Sequence, residues 1–215
     1  MKKAILFDLD GTLVDTLTDI ATAMNRALRL HGLPEWPVDA YRGLVGDGAR
    51  ALSHRAVRDR ADLADRVLDA YQRWYETHSL VESRPYPGVA ETLLALSRAG
   101  VRLCVLSNKP DADTRRVVEH FFPEIPFVCV RGQLPGVPVK PDPTAAVKIA
   151  AQLGLTPGDF LYLGDTAVDM TCARRAGMTP IGALWGFRTA EELRQSGARA
   201  LLREPRELIR IATEN

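Results

Sequence analysis

Short runs of apolar residues alternate with helically spaced apolar residues along the second half of the chain. From residue 84 onward, the runs lie at residues 101–106, 127–130, 160–164 and 180–184. Strands that alternate with helices are typical of βαβ units. The runs are nearly continuous, as expected of parallel strands that helices cover on both faces. The pattern therefore predicts an α/β fold with a doubly wound, mostly parallel, Rossmann-like sheet.

The stretch after the first apolar run, residues 4–8, has a different pattern. No convincing strand lies within residues 15–83, and one helical face is outlined there by Leu17, Ile20, Ala21, Met24 and Leu28. Connections after a strand usually have ~2–6 residues, so this stretch is too long for a loop. We predict a core formed by residues 1–14 and 84–215, with an all-helical subdomain at residues 15–83 inserted after the first strand.

Composition and net charge narrow the possible partners. The chain has 215 residues, of which 46% are hydrophobic and 26% are charged, as in an ordinary globular protein. Its formal net charge is +1, so no strong overall field attracts nucleic acid or an anionic membrane. We expect neither as a partner, and the sequence does not indicate an oligomeric state.

The cysteines and the N-terminal residues indicate the cellular compartment of the protein. Cys104, Cys129 and Cys172 are odd in number and lack C-x-x-C spacing, which disfavours a disulfide framework and a zinc site. The N-terminal apolar run stops at Asp8 and is too short for a signal peptide, and no run of ~20 apolar residues follows. We expect a soluble, cytoplasmic protein.

Three acidic residues lie at the carboxyl ends of predicted strands. Asp8 and Asp10 follow the first strand, and Asp165 follows the run at residues 160–164. Ligands of open α/β sheets bind just beyond such ends, so we expect the three carboxylates to meet. Unit negative charges ~4 Å apart repel by about 4 kcal/mol at an effective dielectric of 20, so a cation must hold them. Oxygen ligands of this kind suit Mg²⁺.

Two further segments at strand ends carry groups that bind phosphate. Ser107-Asn108-Lys109 follows the run at residues 101–106 and offers a hydroxyl group and backbone donors. Lys140 is followed by Pro141 and Pro143, which restrict its segment. Together with the acidic residues, these segments predict a site for a phosphate group and a metal ion.

Four segments, in order along the chain, resemble the four motifs of the haloacid dehalogenase (HAD) superfamily: Asp8-Leu9-Asp10-Gly11-Thr12, Ser107-Asn108-Lys109, Lys140-Pro141 and Gly164-Asp165-Thr166-Ala167-Val168-Asp169. The resemblance spans nearly the whole chain. It implies a HAD-like fold in which residues 15–83 form a helical cap over the active site. Two more segments are similar to sequences of the phosphoglycolate phosphatase group: Gly46-Asp47-Gly48-Ala49 and Leu184-Trp185-Gly186-Phe187. The resemblance implies a Mg²⁺-dependent phosphomonoester hydrolase, with 2-phosphoglycolate as the expected small-molecule substrate.

The same resemblance implies catalytic roles for individual residues. Asp8 is expected to attack phosphorus and to carry an aspartyl-phosphate, which splits hydrolysis into two easier steps. Asp10 is expected to protonate the leaving oxygen and then to deprotonate water. Lys140 is expected to offset negative charge. The implied metal ligands are the side chains of Asp8 and Asp165 and the backbone carbonyl of Asp10.

Other residues are expected to bind substrate or to support the catalytic groups. Asp169 would orient Lys140 or a metal-bound water. Arg50, just after the flexible Gly46 loop, would either pair with a substrate carboxylate or lie exposed on a helix. The full set of expected substrate contacts is Thr12, Ser107, Asn108, Gly46 and Arg50.

Several other activities are compatible with these residues. A phosphomutase, a pyrophosphatase and a sugar-phosphate phosphatase of the same superfamily stay open. Hydrolytic dehalogenation needs neither a proton for the halide nor Mg²⁺, so Asp10 argues against it. A non-enzymatic alternative is a phosphoacceptor signalling domain, which also combines aspartates with a lysine on a parallel sheet. The long insertion fits a substrate lid better than a docking surface.

Overall fold

Eight strands, ten α-helices and three short 3₁₀-helices form the regular structure of residues 2–214, the part of the chain that the computed structural model describes. The strands are β1 (Ala4–Phe7), β2 (Val14–Asp15), β3 (Arg84–Pro85), β4 (Arg102–Pro110), β5 (Phe127–Gln133), β6 (Phe160–Gly164), β7 (Thr179–Ala183) and β8 (Ala200–Leu202). The helices are α1 (Leu17–Leu30), α2 (Tyr41–Leu44), α3 (Ala49–Ala56), α4 (Ala64–His78), α5 (Val89–Arg98), α6 (Asp111–Phe121), α7 (Thr144–Gln152), α8 (Ala167–Ala176), α9 (Ala190–Gln195) and α10 (Glu207–Thr213).

Six of the strands form one parallel sheet in the order β5-β4-β1-β6-β7-β8. Strand β1 lies inside this sheet, where Phe7 is in register with Val105 of β4 and Leu163 of β6. The chain therefore leaves β1, β4 and β6 at one common edge. This arrangement confirms the predicted doubly wound, mostly parallel α/β fold.

Both faces of the sheet are covered by helices, which explains the continuous apolar runs. Ile5 and Phe7 point to one face and pack in a buried cluster with α5, α6 and α10. Ala4 and Leu6 point to the other face and pack with α7 and α8. Because successive side chains of a strand alternate between faces, every position of β1 has to be apolar.

The sequence pattern missed the short strands β2, β3 and β8 and the ends of β4 and β5. Strand β4 continues through Ser107 to Pro110, and β8 was not predicted. Ser107 and Lys109 are buried but polar, so hydrophobicity gives no sign that the strand continues there. Strand β8 has only three residues, too few to show a pattern.

The inserted stretch forms its own helical layer. Helices α1 to α4 bury a separate apolar cluster that includes Met24, Tyr41 and Val67. At its base β2 and β3 pair antiparallel, so that Asp15 lies opposite Arg84. The division into residues 1–14 with 84–215 and residues 15–83 stays a proposal, and its boundaries fall on this two-stranded ribbon. Among residues 2–214, no helix is both long and apolar enough to cross a bilayer.

Candidate active site

The carboxyl edge of the sheet brings Asp8, Lys140 and Asp169 into contact. Asp8 directly follows β1, and its backbone N–H donates to the carbonyl of Leu163, 2.9 Å away, which continues the sheet to this residue. The Nζ atom of Lys140 lies 2.8 Å from Oδ1 of Asp8 and 2.7 Å from Oδ1 of Asp169. It also donates to the carbonyl of Leu106 at 3.2 Å. One buried ammonium group thus joins the segments that follow β1 and β6.

Asp165, which directly follows β6, completes a compact acidic cluster. Oxygen atoms of Asp8, Asp165 and Asp169 all lie within 4.8 Å of one another. Asp165 is fully buried and accepts hydrogen bonds from Oγ1 of Thr12 at 2.9 Å and from the backbone of Phe187 at 2.8 Å. Three carboxylates therefore share the charge of one lysine.

The electrostatics of this cluster favour an additional cation. Burial, with the charge of Asp169 next in size, raises the pKa of Asp165 to about 7. Burial and Asp169 likewise hold the pKa of Asp8 well above its usual range, although Lys140 opposes the shift. Burial alone would lower the pKa of Lys140, but Asp169 and Asp8 hold it well above its usual value. The ligand atoms are all oxygens, so the residues present fit a hard divalent cation.

Asp10 lies in a second network beside the cluster. Its carboxylate accepts hydrogen bonds from Nζ of Lys109 at 2.8 and 2.9 Å and from Oγ1 of Thr16 at 2.7 Å. The Nζ atom of Lys109 also lies 4.8 Å from the ring centroid of Tyr75 on α4. Burial lowers the pKa of Lys109, but Asp10 and other neighbours outweigh it and raise the pKa above its usual value. A charged lysine of the sheet edge therefore holds Asp10 and contacts a helix of the insertion.

A cavity between the sheet edge and the inserted helices opens onto both networks. It encloses about 630 Å³, including its open mouth. Its floor includes Asp8, Asp10 and Ser107, and its roof is largely apolar. The roof residues from the insertion are Ile20, Val45, Gly46, Gly48, Ala49, Leu52, Tyr71, Gln72 and Tyr75. A small molecule held in this cavity would lie between Asp8 and helix α4.

Comparison with known proteins assigns the chain to a family. A family model described as haloacid dehalogenase-like hydrolase matches residues 5–183. The chain belongs to this family. It is 34% identical over 185 residues to a phosphoglycolate phosphatase of Aquifex aeolicus, covering 86% of each chain. It is 33% identical over 198 residues to a phosphoglycolate phosphatase of Pseudomonas putida, covering 87% of this chain and 71% of that protein.

A solved structure extends this similarity to the whole fold. A crystal structure of a predicted phosphoglycolate phosphatase from Haemophilus somnus has a TM-score of 0.90 and 30% identity, and covers 99% of this chain and 98% of that chain. The resemblance to the HAD superfamily found in the sequence is thereby confirmed. HAD phosphatases are metal-dependent, which agrees with the buried acidic cluster of this chain.

In this HAD-like hydrolase, two of the expected substrate contacts, Thr12 and Asn108, form hydrogen bonds within the site. Thr12 is fully buried, does not line the cavity, and donates its hydroxyl hydrogen to Asp165. Asn108 lines the cavity, but its amide group donates to the carbonyls of Gly46 and Lys140, both at 3.0 Å, and accepts from the backbone N–H of Lys140 at 2.8 Å. Asn108 thereby ties the end of β4 to the Gly46 loop and to Lys140.

Arg50 is the predicted residue that the structure does not bring to the site. It does not line the cavity, its side chain is 69% exposed, and it pairs with Asp65 at 2.6 Å. The physical reason is helical geometry: Ala49 and Leu52 of α3 face the cavity, and Arg50 lies ~100° further around the helix than Ala49. Of its two interpretations, the structure favours the exposed helix residue. Gly46, by contrast, lines the cavity.

Sequence reasoning gave no role in the site to Lys109 or to the aromatic residues Tyr71 and Tyr75 of α4. Lys109 belongs to the second of the four HAD-like segments, and its position soon after the apolar run at residues 101–106 was the available signal. Tyr71 and Tyr75 lie one helical turn apart and are buried, as the spacing indicates. Spacing alone does not distinguish a residue that packs inside the insertion from one that also faces a cavity.

Gly11 offers a test of how tightly the acidic cluster is packed. Its φ angle is +85°, and a Cβ atom would lie 2.4 Å from Oδ2 of Asp165. Gly32 has a φ angle of +68° but nothing within 4 Å of such a Cβ. Both Gly→Ala changes impose backbone strain of about 1–2 kcal/mol, and only Gly11→Ala adds a steric clash of about 1–3 kcal/mol.

We therefore expect Gly11→Ala to lower Tm by several degrees more than Gly32→Ala, at roughly 2–4 °C per kcal/mol, and to reduce turnover. Thermal unfolding and phosphate release of the two purified variants measure this difference. Equal Tm values would mean that Asp165 has room to move.

Proposed function

We propose that this HAD-like hydrolase is a Mg²⁺-dependent phosphatase that hydrolyses 2-phosphoglycolate to glycolate and phosphate through an aspartyl-phosphate on Asp8. The observation that carries the proposal is the position of Asp8. It follows β1, contacts Lys140, belongs to the acidic cluster and opens onto the cavity. The phosphoglycolate phosphatases of similar sequence support the choice of substrate.

The first chemical step joins Asp8 to phosphorus. A carboxylate oxygen of Asp8 forms a bond to phosphorus as the bond from phosphorus to the glycolate oxygen breaks. Asp10, which lines the same cavity, donates a proton to the departing oxygen. In the second step Asp10 takes a proton from water, the water oxygen attacks phosphorus, and Asp8 is released. Glycolate and phosphate are the products.

Positive charge and hydrogen-bond donors have to surround the phosphoryl group. Lys140 lies against Asp8 and offsets its charge, and Asp169 holds Lys140 in place. Ser107 lines the same cavity as Asp8, and its hydroxyl group would donate to a phosphate oxygen. Asp8, Asp165 and the carbonyl of Asp10 would hold Mg²⁺. When bound, Mg²⁺ supplies positive charge that reduces repulsion between the nucleophile and the phosphate.

The proposal also covers the size of the substrate and the location of the protein. The substrate is a small phosphomonoester, in agreement with the phosphatases of similar sequence. A cytoplasmic location agrees with the free thiols of Cys104, Cys129 and Cys172.

Phosphate release from a panel of small phosphomonoesters, with and without Mg²⁺, tests the proposed function. We expect many turnovers per enzyme, dependence on Mg²⁺, and the highest kcat/KM for 2-phosphoglycolate. One phosphate per protein molecule would instead indicate a phosphoacceptor domain. A preference for pyrophosphate or sugar phosphates, or an isomerised sugar phosphate among the products, would indicate one of the other superfamily activities.

Binding of Mg²⁺ gives a prediction that does not depend on turnover. A ligand at one hundred times its Kd stabilises a fold by about 2.7 kcal/mol, which corresponds to a rise in Tm of roughly 5–10 °C for a chain of this size. We expect MgCl₂ to produce such a rise, relative to NaCl at equal ionic strength. Asp165→Asn should lose most of it.

Asp113→Asn is the matched control, because Asp113 lines the cavity but pairs with Arg116 and lies outside the acidic cluster. This variant should keep the rise. A full rise in the Asp165→Asn variant would place the metal elsewhere.

A further inference from the structure

Lys109 is a buried, charged residue in the wall of the cavity. The residue is 7% exposed. Among the described residues that line the cavity, it has the only side chain with a positive charge. The roof above it is formed largely by apolar and aromatic side chains. An anionic group of a bound molecule would therefore find one cationic partner on the cavity wall.

The contacts of Lys109 leave it able to bind such a group. Two of its three N–H bonds are directed to the two carboxylate oxygens of Asp10, at 2.8 and 2.9 Å. Its Nζ atom lies below the ring of Tyr75 on the inserted helix α4. A lysine has three hydrogen-bond donors, so one is left for a ligand in the cavity.

The reaction geometry places the far end of the substrate beside this lysine. Asp10 protonates the oxygen that links phosphorus to the organic part of the substrate, so that oxygen has to lie within hydrogen-bond distance of Asp10. In phosphoglycolate, the carboxylate carbon is only two bonds from the same oxygen. A carboxylate on so short a chain reaches a lysine that is itself in contact with Asp10.

We propose that Lys109 binds the carboxylate of the substrate, and that the end of β4 therefore selects a phosphorylated 2-hydroxy acid over a neutral phosphate ester. This inference rests on the proposed function. It assigns to Lys109 the role that Arg50, which faces solvent, does not have. The apolar roof strengthens the selection, because an unpaired carboxylate is costly to remove from water.

The test compares two substrates of the same shape on Lys109→Met. These are 2-phosphoglycolate and its amide, 2-phosphoglycolamide, which has no carboxylate charge. Methionine keeps the length and packing of the lysine stem without the charge. We expect kcat/KM for phosphoglycolate to fall about 10- to 100-fold more than kcat/KM for the amide, as for the loss of one charged hydrogen bond. Most of the difference should be in KM.

Lys3→Met is the matched control. Lys3 is exposed, pairs with Asp159 at 3.1 Å, and precedes β1 at the opposite edge of the sheet. Its replacement should leave the ratio of the two kcat/KM values unchanged. Lys109→Gln, which is also neutral but polar, provides a second variant should the methionine variant fail to fold, with the same selective loss expected.

The outcomes separate three cases. A selective loss for phosphoglycolate supports the proposal. Equal losses for both substrates overturn it and make Lys109 a positioning residue for Asp10, and an unchanged ratio without any loss also overturns it. The wild-type enzyme is measured first. If it releases phosphate from other monoesters but not from phosphoglycolate, the proposed substrate is wrong, and the proposal for Lys109 is overturned with it.

Discussion

Replacement of Asp8 with asparagine is expected to reduce phosphate release by on the order of 10⁴-fold or more, as for the loss of other catalytic nucleophiles. This corresponds to roughly 5.5 kcal/mol of activation free energy. The amide keeps the volume of the carboxylate, but its oxygen is a poor nucleophile and cannot form the covalent intermediate. Steady-state phosphate release by the purified variant, with Mg²⁺ and phosphoglycolate, measures the effect. Activity within about tenfold of wild type would exclude Asp8 as the nucleophile.

The same variant should fold at least as well as the wild type. Burial and the charges of Asp169 and Asp165 raise the pKa of Asp8 in the folded protein. Because this pKa is raised, the contribution of Asp8 to the free energy of unfolding declines as the pH rises through the pKa that Asp8 has in the folded protein. Asparagine is neutral at every pH. In buffer without divalent cations, the Tm of Asp8→Asn relative to wild type should therefore be higher at pH 8 than at pH 5, and a large loss of Tm would point to misfolding as the cause of inactivity.

The large sheet was predictable from the sequence because its strands are buried on both faces. Every residue of β1 from Ala4 to Phe7 is essentially inaccessible to solvent, so the apolar run is continuous and ends at Asp8. Asp8 and Asp165 were likewise predictable, because acidic residues that directly follow two buried parallel strands are expected to meet at the same edge of the sheet. The other residues of the site were predicted from the four HAD-like segments and from their order along the chain.

The roof of the cavity was much less predictable. Arg50 and Leu52 are two residues apart, yet only Leu52 faces the cavity, and this depends on where α3 begins and how it packs on α4. No role for Lys109 followed from the sequence, in which its burial is not visible. Its burial results from contacts with Asp10 and Tyr75, which are far from it in sequence. Residues that face the cavity, whether on the helices of residues 15–83 or at the end of β4, are therefore identified only from the tertiary structure.

Replacement of Asp10 with asparagine is expected to produce a loss that depends on the leaving group. General acid and base catalysis contributes roughly 10²–10⁴-fold. Proton donation matters least when the departing oxygen is already acidic. We therefore expect a loss of about 10³-fold for alkyl phosphates such as phosphoglycolate and a much smaller loss for an aryl phosphate such as p-nitrophenyl phosphate. Turnover of both substrates by the variant gives the two values.

Asp113→Asn controls for the removal of a carboxylate from the cavity wall. Asp113 lines the same cavity, but it pairs with Arg116 of its own helix, whereas Asp10 accepts from Lys109 and Thr16. Its replacement should affect the two substrates to the same small extent. If Asp10→Asn also reduced both activities equally, proton transfer would not be its role. The contacts of the Asp10 side chain with Lys109 and Thr16 would then serve to position the backbone carbonyl of Asp10 as a metal ligand.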